Sequence, residues 1–495
     1  MENPMPKGAT YIGPTVQQMV SHPSPSAFGD PYPGPIIGVN VANNKPFRFD
    51  PWWLMDNGII NAMTFLVIAA LREGKSALIK LIIKSLMRLA PGGRMPHVVI
   101  NDYRPEGDGT EYTKLATWLM CTVTRMKDMR FNILDPRLYM NAAGEFSEFS
   151  LIEMIRRISE FEQKPLTEIE VLALRIVIRE QLLIDPRLWG FEYIGLTSGG
   201  ITEKMYTDFR ERSQNKLQAE LYKRLQKVDD PAMRVKLEAQ HARVLSLPDN
   251  IVLDDVKNAG VSLRNRIEAI HDGVAGEVFG NEHSYYDLMT QPLSVRDWRG
   301  MNPAAERLMK LIGGRLDITA IDNNRRDLVP DVMVDDELHR AMTNSQFVED
   351  RLFRQQITRS LGSFEIGGTH SEDSVIAGEP GSRLYRASKT ILNNSGGIIY
   401  GRLPNDPQVR KEAKSRSGLT DYEVDLLTQN PKYTFGIKFN ESLPLIRFRT
   451  APYGSDFNLI YTDSATHSKA QGNQLGDPDA KAEFALQHGS RYIGG

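Results

Sequence analysis

The sequence predicts an α/β protein: a mainly parallel sheet interrupted by a helical insertion. Short apolar runs at 63–71 and 98–100 bracket a segment of helical periodicity, giving the order strand, helix, strand. Residues 150–310 carry long mixed-charge stretches with few strand signals, and strand character returns at 329–334 and 397–400. Sequential parallel strands need a right-handed crossover, so the first three segments form a βαβ unit.

Residues 1–45 are rich in Pro, Gly, Ser and Asn, including PSPSAFGDPYPGPIIG, and read as an extended arm. The first part of the core occupies 46–149. Met63–Leu71 is a buried strand, and Ser76–Leu89 is a helix with Leu78, Ile79, Ile82, Ile83 and Leu86 on its apolar stripe. Pro91-Gly92-Gly93 stops that helix, and Val98-Val99-Ile100 runs into Asn101-Asp102. In the insertion, 150–310, two charged stretches between Thr207 and Leu247 flank Asp229-Asp230-Pro231, with Leu217, Leu221, Leu225 and Val228 at helical spacing. This is an antiparallel helical hairpin with a solvated charged face. The second part of the core, 311–463, contains strands at Val329–Val334 and Gly397–Tyr400, and 464–495 is a flexible tail. Glycine pairs at 313–314, 367–368 and 396–397 read as turns.

Composition excludes several classes. With 60 Lys+Arg against 62 Asp+Glu, the net charge of −2 leaves no global positive field for a nucleic acid, so any such contact needs a local patch. The longest apolar run, Ile59 to Leu71, is interrupted by Asn61 and falls short of the roughly 20 residues that span a bilayer. The opening MENPMPKGATYIGP lacks the pattern of a secretory signal. A single cysteine, Cys121, excludes an internal disulfide framework and reads as a core residue in an apolar helix. A reducing cytoplasm is the expected compartment.

Gly74-Lys75-Ser76 lies between the first strand and its helix, the context of a phosphate-binding loop. Backbone N–H groups at the helix start face an anion, a lysine reaches the β/γ-phosphates, and a serine hydroxyl holds Mg²⁺. The full pattern GxxxxGK[ST] is incomplete, because Ala69 stands at its first glycine and Arg72 and Glu73 fill the bend. Taken alone, the tripeptide also fits an ordinary helix start. A second constellation, Val332-Met333-Val334-Asp335-Asp336-Glu337, is an apolar strand ending in carboxylates, which in P-loop enzymes supplies an aspartate to the Mg²⁺ shell and a glutamate to the attacking water. Asp102 and Glu106 close the second strand at the same edge, where ligands bind in such folds.

These residues resemble the VirB/TraC-type conjugation ATPases of type IV secretion systems, within the HerA/FtsK group of hexameric motors. The likeness runs from about Phe47 to Asp463. Phe49-Asp50-Pro51-Trp52, Asp102-Tyr-Arg104-Pro-Glu106, Phe131-Asn132-Ile133-Leu134-Asp135-Pro136, Asp336-Glu337-Leu338-His339-Arg340, Thr369-His370-Ser371-Glu372-Asp373, Ala377-Gly378 and Gly418–Leu427 are similar to that family's segments, in order. Its usual Arg-Gln near a late strand is replaced by Tyr400-Gly401-Arg402, and a short arm stands where the family has a large N-terminal domain.

The resemblance implies a RecA-like P-loop NTPase core using ATP and magnesium. Gly74, Lys75, Ser76 and Ala77, with Asp102 and Glu106, would bind the nucleotide; Ser76 and Asp336 would hold the metal; Glu337 would position water. It implies a homo-hexamer in a secretion or DNA-transfer complex, cytoplasmic or peripheral at the inner face of the membrane, with DNA as one potential partner. Arg402, Arg354, Arg359 and Arg383 are candidate trans-acting arginines. Trp52 and Trp53 read as buried beneath the sheet, and His370 as a hydrogen-bonded structural residue. Two other readings fit the same residues: a non-hydrolysing structural subunit with a decayed loop, and a double-stranded-DNA translocase of a phage or other mobile element.

Overall fold

A computed structural model of the chain describes residues 33–70, 72–88, 95–104, 110–140, 144–181, 194, 198–225, 235, 253–324, 330–343, 345–439, 442–450 and 459–460. Two compact units result. One comprises Met1–Asp128, Leu288–Asn302 and Gly313–Gly495; the other comprises Met129–Asp287 and Pro303–Ile312.

The first unit is built on an eleven-stranded sheet. Its strands are β1 (Ile36–Asn40), β2 (Pro46–Arg48), β3 (Thr64–Ile68), β4 (His97–Asp102), β5 (Val123–Arg125), β6 (Leu293–Asp297), β7 (Asp331–Asp336), β8 (Phe364–Thr369), β9 (Gly397–Tyr400), β10 (Thr434–Lys438) and β11 (Ile446–Thr450). The spatial order is β2-β1-β11-β10-β9-β3-β8-β7-β4-β6-β5. From β9 to β5 every neighbouring pair is parallel. From β9 outward to β2 the pairs are antiparallel. The central parallel strands are buried on both faces, which is why β3 (TFLVI) reads as an unbroken apolar run instead of an alternation. The Lys75–Arg88 helix packs back on β3 and β8, burying Leu78, Ile79, Ile82, Ile83 and Leu86.

Several local readings shift. The first strand is shorter than 63–71, because the chain must bend after Ala69. Leu293–Asp297 is a sheet strand inside the stretch expected to be helical. Its sequence, LSVRD, hides the signal: Arg296 is buried and held by Asp317 through bonds of 2.9 and 2.7 Å. Part of the expected arm is β1, paired with β11. Gly313-Gly314 lies within the Pro303–Asn324 helix and Gly367-Gly368 within β8, so neither is a turn, while Gly397 opens β9. Cys121 follows the Thr113–Trp118 helix and is partly exposed.

The second unit contains the helices Glu148–Phe161, Glu168–Gln181, Glu203–Leu225 and Leu253–His271. Leu253–His271 packs on Glu168–Gln181, and Glu170 accepts bonds from Ser262 at 2.6 Å and Arg266 at 2.7 Å. The turn and second arm of the expected hairpin, and the 464–495 tail, lie outside the described residues.

Candidate active site

The chain leaves β3 at the carboxyl edge of the sheet and bends through residues 69–74 into the Lys75–Arg88 helix. Gly74 has φ +95°, and a Cβ there would stand 2.4 Å from the Tyr433 ring. Only glycine fits. Two residues earlier Arg72 adopts φ +66°, a left-handed conformation that burdens an L side chain by about 1–2 kcal/mol.

The opposing groups come from β7, whose register with β4 sets Asp335 beside Asn101 and Asp336 beside Asp102. Strand β8 lies between β3 and β7, so the lysine must reach across it. Gly368 leaves the space: a Cβ there would lie 2.9 Å from Asp336 Oδ1 and 3.4 Å from Lys75 Cδ. Lys75 Nζ therefore donates to Glu337 Oε1 at 2.6 Å and stands 3.5 Å from Asp336 Oδ1. Ser76 Oγ donates to Asp336 Oδ2 at 3.1 Å, and Tyr112 Oη donates to the same oxygen at 2.9 Å. Glu337 itself has φ +60°, strain of the kind held at functional positions.

Around this cluster is a cavity of about 250 Å³ lined by Arg72, Lys75, Lys80, Arg104 and Lys432, against Glu111 and Glu337, with Gly74, Ser76, Ala77, His370 and Tyr433. The excess of cations suits a polyanion. Burial opposes the charge on Glu337, yet the His370 hydrogen bond and the Lys75 ammonium hold its carboxyl at about 2. Burial pulls Lys80 down to about 8, against the attraction of Glu111. Burial and the Asp336 charge push the Tyr112 phenol well up, so it remains a donor. His339 is lowered by burial first, with His370 and Lys75 adding to that.

Gly74, Lys75, Ser76, Ala77 and Glu337 line one hollow, and Asp336 joins them through Lys75 and Ser76. Asp102 stands one layer back. Its carboxylate is fully buried and taken up by Arg104, through Nε at 3.1 Å and Nη2 at 2.9 Å, and by Thr110 at 2.5 Å. Arg104, not Asp102, reaches the cavity. Glu106 lies outside the described residues. Arg402 is exposed, donates to the Thr428 carbonyl at 3.3 Å and borders an adjoining hollow with Tyr400 and Glu372. Arg354 is buried on Glu365 at 2.6 Å, which removes it as a finger for a neighbouring subunit. Arg383 is exposed and paired with Glu349, and the Arg359 side chain is outside the description. Trp52 is half-buried and bonded to the Gly362 carbonyl at 2.8 Å.

His370 is hydrogen-bonded, as expected: its Nε2 stands 2.9 Å from Glu337 Oε2, and its ring also borders the cavity. Lys80, Arg104 and His339 stand in the segments that resemble the family but carry no expected role there, and Tyr112 and Tyr433 are not singled out in the sequence. Lys80 and Lys84 leave a further trace, two lysines one turn apart within an apolar helix; the two tyrosines converge from separate segments and leave none.

Ser76 and Asp336 offer a hydroxyl and a carboxylate oxygen side by side, the hard donors that Mg²⁺ takes while keeping water and phosphate oxygens in its remaining positions. The donor set fits that ion.

No protein-family model matches the sequence, and no curated protein matches it either. Among solved structures, VirB4 of Thermoanaerobacter pseudethanolicus superposes with a TM-score of 0.51 at 14% identity, covering 87% of this chain and 99% of that one. A bacterial conjugative coupling protein, TrwBdeltaN70, aligns with a TM-score of 0.39 at 13% identity, covering 89% of this chain and 92% of its own. No helix among the described residues is long and apolar enough to cross a membrane. With its large, mostly parallel sheet and flanking helices, the chain has the P-loop NTPase fold seen in VirB4.

Proposed function

We infer that this chain is an ATP-driven motor subunit that hydrolyses Mg²⁺-ATP in the cavity between β3 and β7 to power transfer of DNA or protein. One observation carries this reading: Lys75 and Ser76, at the start of the helix after β3, meet Asp336 and Glu337, at the end of β7, over a cation-lined hollow. The backbone N–H groups at 74–76 and the Lys75 ammonium would take the β/γ-phosphates. In doing so the phosphate displaces Glu337 from Lys75, and the freed carboxylate orients the attacking water. Ser76 and Asp336 would hold Mg²⁺, which neutralises charge on the transferring phosphoryl group. Arg104, steadied by Asp102, and Lys80 add positive charge around the phosphates.

The fold shared with VirB4 and the ordered residue matches to conjugation ATPases support a transfer motor working as a homo-oligomer, a hexamer by that resemblance, with a trans-acting arginine such as Arg402. Steady-state phosphate release from wild type and Lys75→Ala, on protein sized by light scattering, tests the reading. The expected result is loss of turnover in the variant; equal background rates in both would leave a non-hydrolysing subunit as the answer.

A further inference from the structure

Beyond the nucleotide cluster, the mouth of the cavity holds a second constellation of different chemistry. His339 follows β7 by three residues, and His370 follows β8 by one. Ligand atoms of Glu337, His339 and His370 all lie within 4.8 Å of one another, and the two imidazole rings are 5.1 Å apart. Glu337 Oε2 is 2.9 Å from His370 Nε2 and 3.5 Å from His339 Nδ1. His339 Nδ1 is shut off from solvent and has no hydrogen-bond partner among the described residues, an arrangement that calls for a ligand. His370 turns its other nitrogen, Nδ1, toward the Ala69 carbonyl at 3.4 Å, as metal-binding histidines do to set the ring and leave Nε2 to the metal.

We propose that Glu337, His339 and His370 form a binding site for a borderline divalent transition metal, Zn²⁺ above all, distinct from the Ser76–Asp336 oxygen pair. Two imidazoles and a carboxylate favour zinc, nickel or copper, whereas Mg²⁺ prefers oxygen donors. The two separations from Glu337 suit such an ion. Zinc–ligand bonds of about 2.1 Å in a tetrahedron set ligand atoms roughly 3.4 Å apart. The His339–Glu337 separation of 3.5 Å already meets that, and the His370–Glu337 separation of 2.9 Å opens slightly when the metal replaces the proton now between them. Lys75 keeps Oε1, leaving Oε2 to the ion, and the fourth position opens toward the cavity for a water or a phosphate oxygen. Residues on two segments, after β7 and after β8, thus make a site at the terminal-phosphate end of the hollow.

Metal binding itself does not depend on the ATPase reading; its consequence does. A Glu337 held by zinc cannot orient water, so zinc would arrest turnover. The test uses full-length, untagged protein without nucleotide, titrated with Co²⁺ and followed by its visible absorption, then competed with Zn²⁺. One equivalent of Co²⁺ with the intense absorption of a four-coordinate site, displaced by Zn²⁺, is expected in wild type. His339→Ala and His370→Gln should each weaken binding by at least about tenfold, the lower end of what even an outer-shell change does. His339→Ala alters a half-exposed residue, so it reports even if His370→Gln fails to fold. Absence of the spectrum, or an unchanged affinity in His339→Ala, overturns the proposal. Inhibition of phosphate release by Zn²⁺, expressed relative to each protein's own zinc-free rate, should weaken in parallel with the spectral affinity; a protein that binds Co²⁺ but never hydrolyses ATP would refute the motor reading alone.

Discussion

Replacing Glu337 by glutamine preserves size and removes the charge on which Lys75 and His370 converge. In the folded protein this carboxyl lies at about 2, against an ordinary 4.5, because its partners outweigh the effect of burial. At about 1.4 kcal/mol per unit this corresponds to about 3 kcal/mol, and solvent screening through the cavity mouth reduces it to about 2 kcal/mol. The folded value is below the unfolded one, so between them the unfolded chain binds more protons. The contribution is complete above about 4.5 and drains away as pH falls toward 2, with about two-fifths left at pH 3. Glu337→Gln should thus be less stable than wild type by about 2 kcal/mol at pH 7, and the gap should close in acid. Urea unfolding of the nucleotide-free protein at several pH values measures it. Nucleotide affinity should move the other way, since Lys75 no longer shares its ammonium with a carboxylate, while turnover drops by about 10²–10⁴. Titration with a fluorescent ATP analogue and a phosphate-release assay read the two. A stability gap that does not change with pH, or wild-type turnover in the variant, would refute the reasoning.

Arg72→Gly should stabilise the protein by about 0.5–1 kcal/mol, because relief of the left-handed strain exceeds the chain entropy that glycine adds; thermal unfolding checks it, and a lower melting point would count against the loop geometry. Gly368→Ala should destabilise by about 1–3 kcal/mol and lower Mg²⁺-nucleotide affinity, because its Cβ would meet Asp336 Oδ1 at 2.9 Å and Ile79 at 3.1 Å; denaturant unfolding and calorimetric titration report each effect. Lys80, lowered to about 8, loses its proton in the folded state while the unfolded chain keeps it up to about 10.5. Its contribution to stability therefore rises with pH across that window while phosphate affinity falls; Lys80→Met should flatten both profiles in unfolding and binding titrations.

Runs such as TFLVI in β3 and VMV in β7 are apolar because both faces of a parallel strand are covered, so β3 and β7 could be read directly from the chain, as could GKS between a strand and a helix. Lys75, Ser76, Asp336 and Glu337 emerged the same way, each from a local pattern of a few neighbouring residues. What local patterning could not convey was adjacency. The insertion of β8 between β3 and β7 explains why residues 367 and 368 are glycines within a strand and not a turn, and strand order is written nowhere in either segment. Arg296 concealed β6, since a buried guanidinium is tolerated only once Asp317 has folded against it. No local pattern shows that the parallel register of β7 and β8 brings His370 against Glu337, with His339 beside the same carboxylate. Chemistry within one turn or one strand is a property of the chain itself; chemistry shared among three segments exists only where hydrogen-bonded register sets their ends side by side.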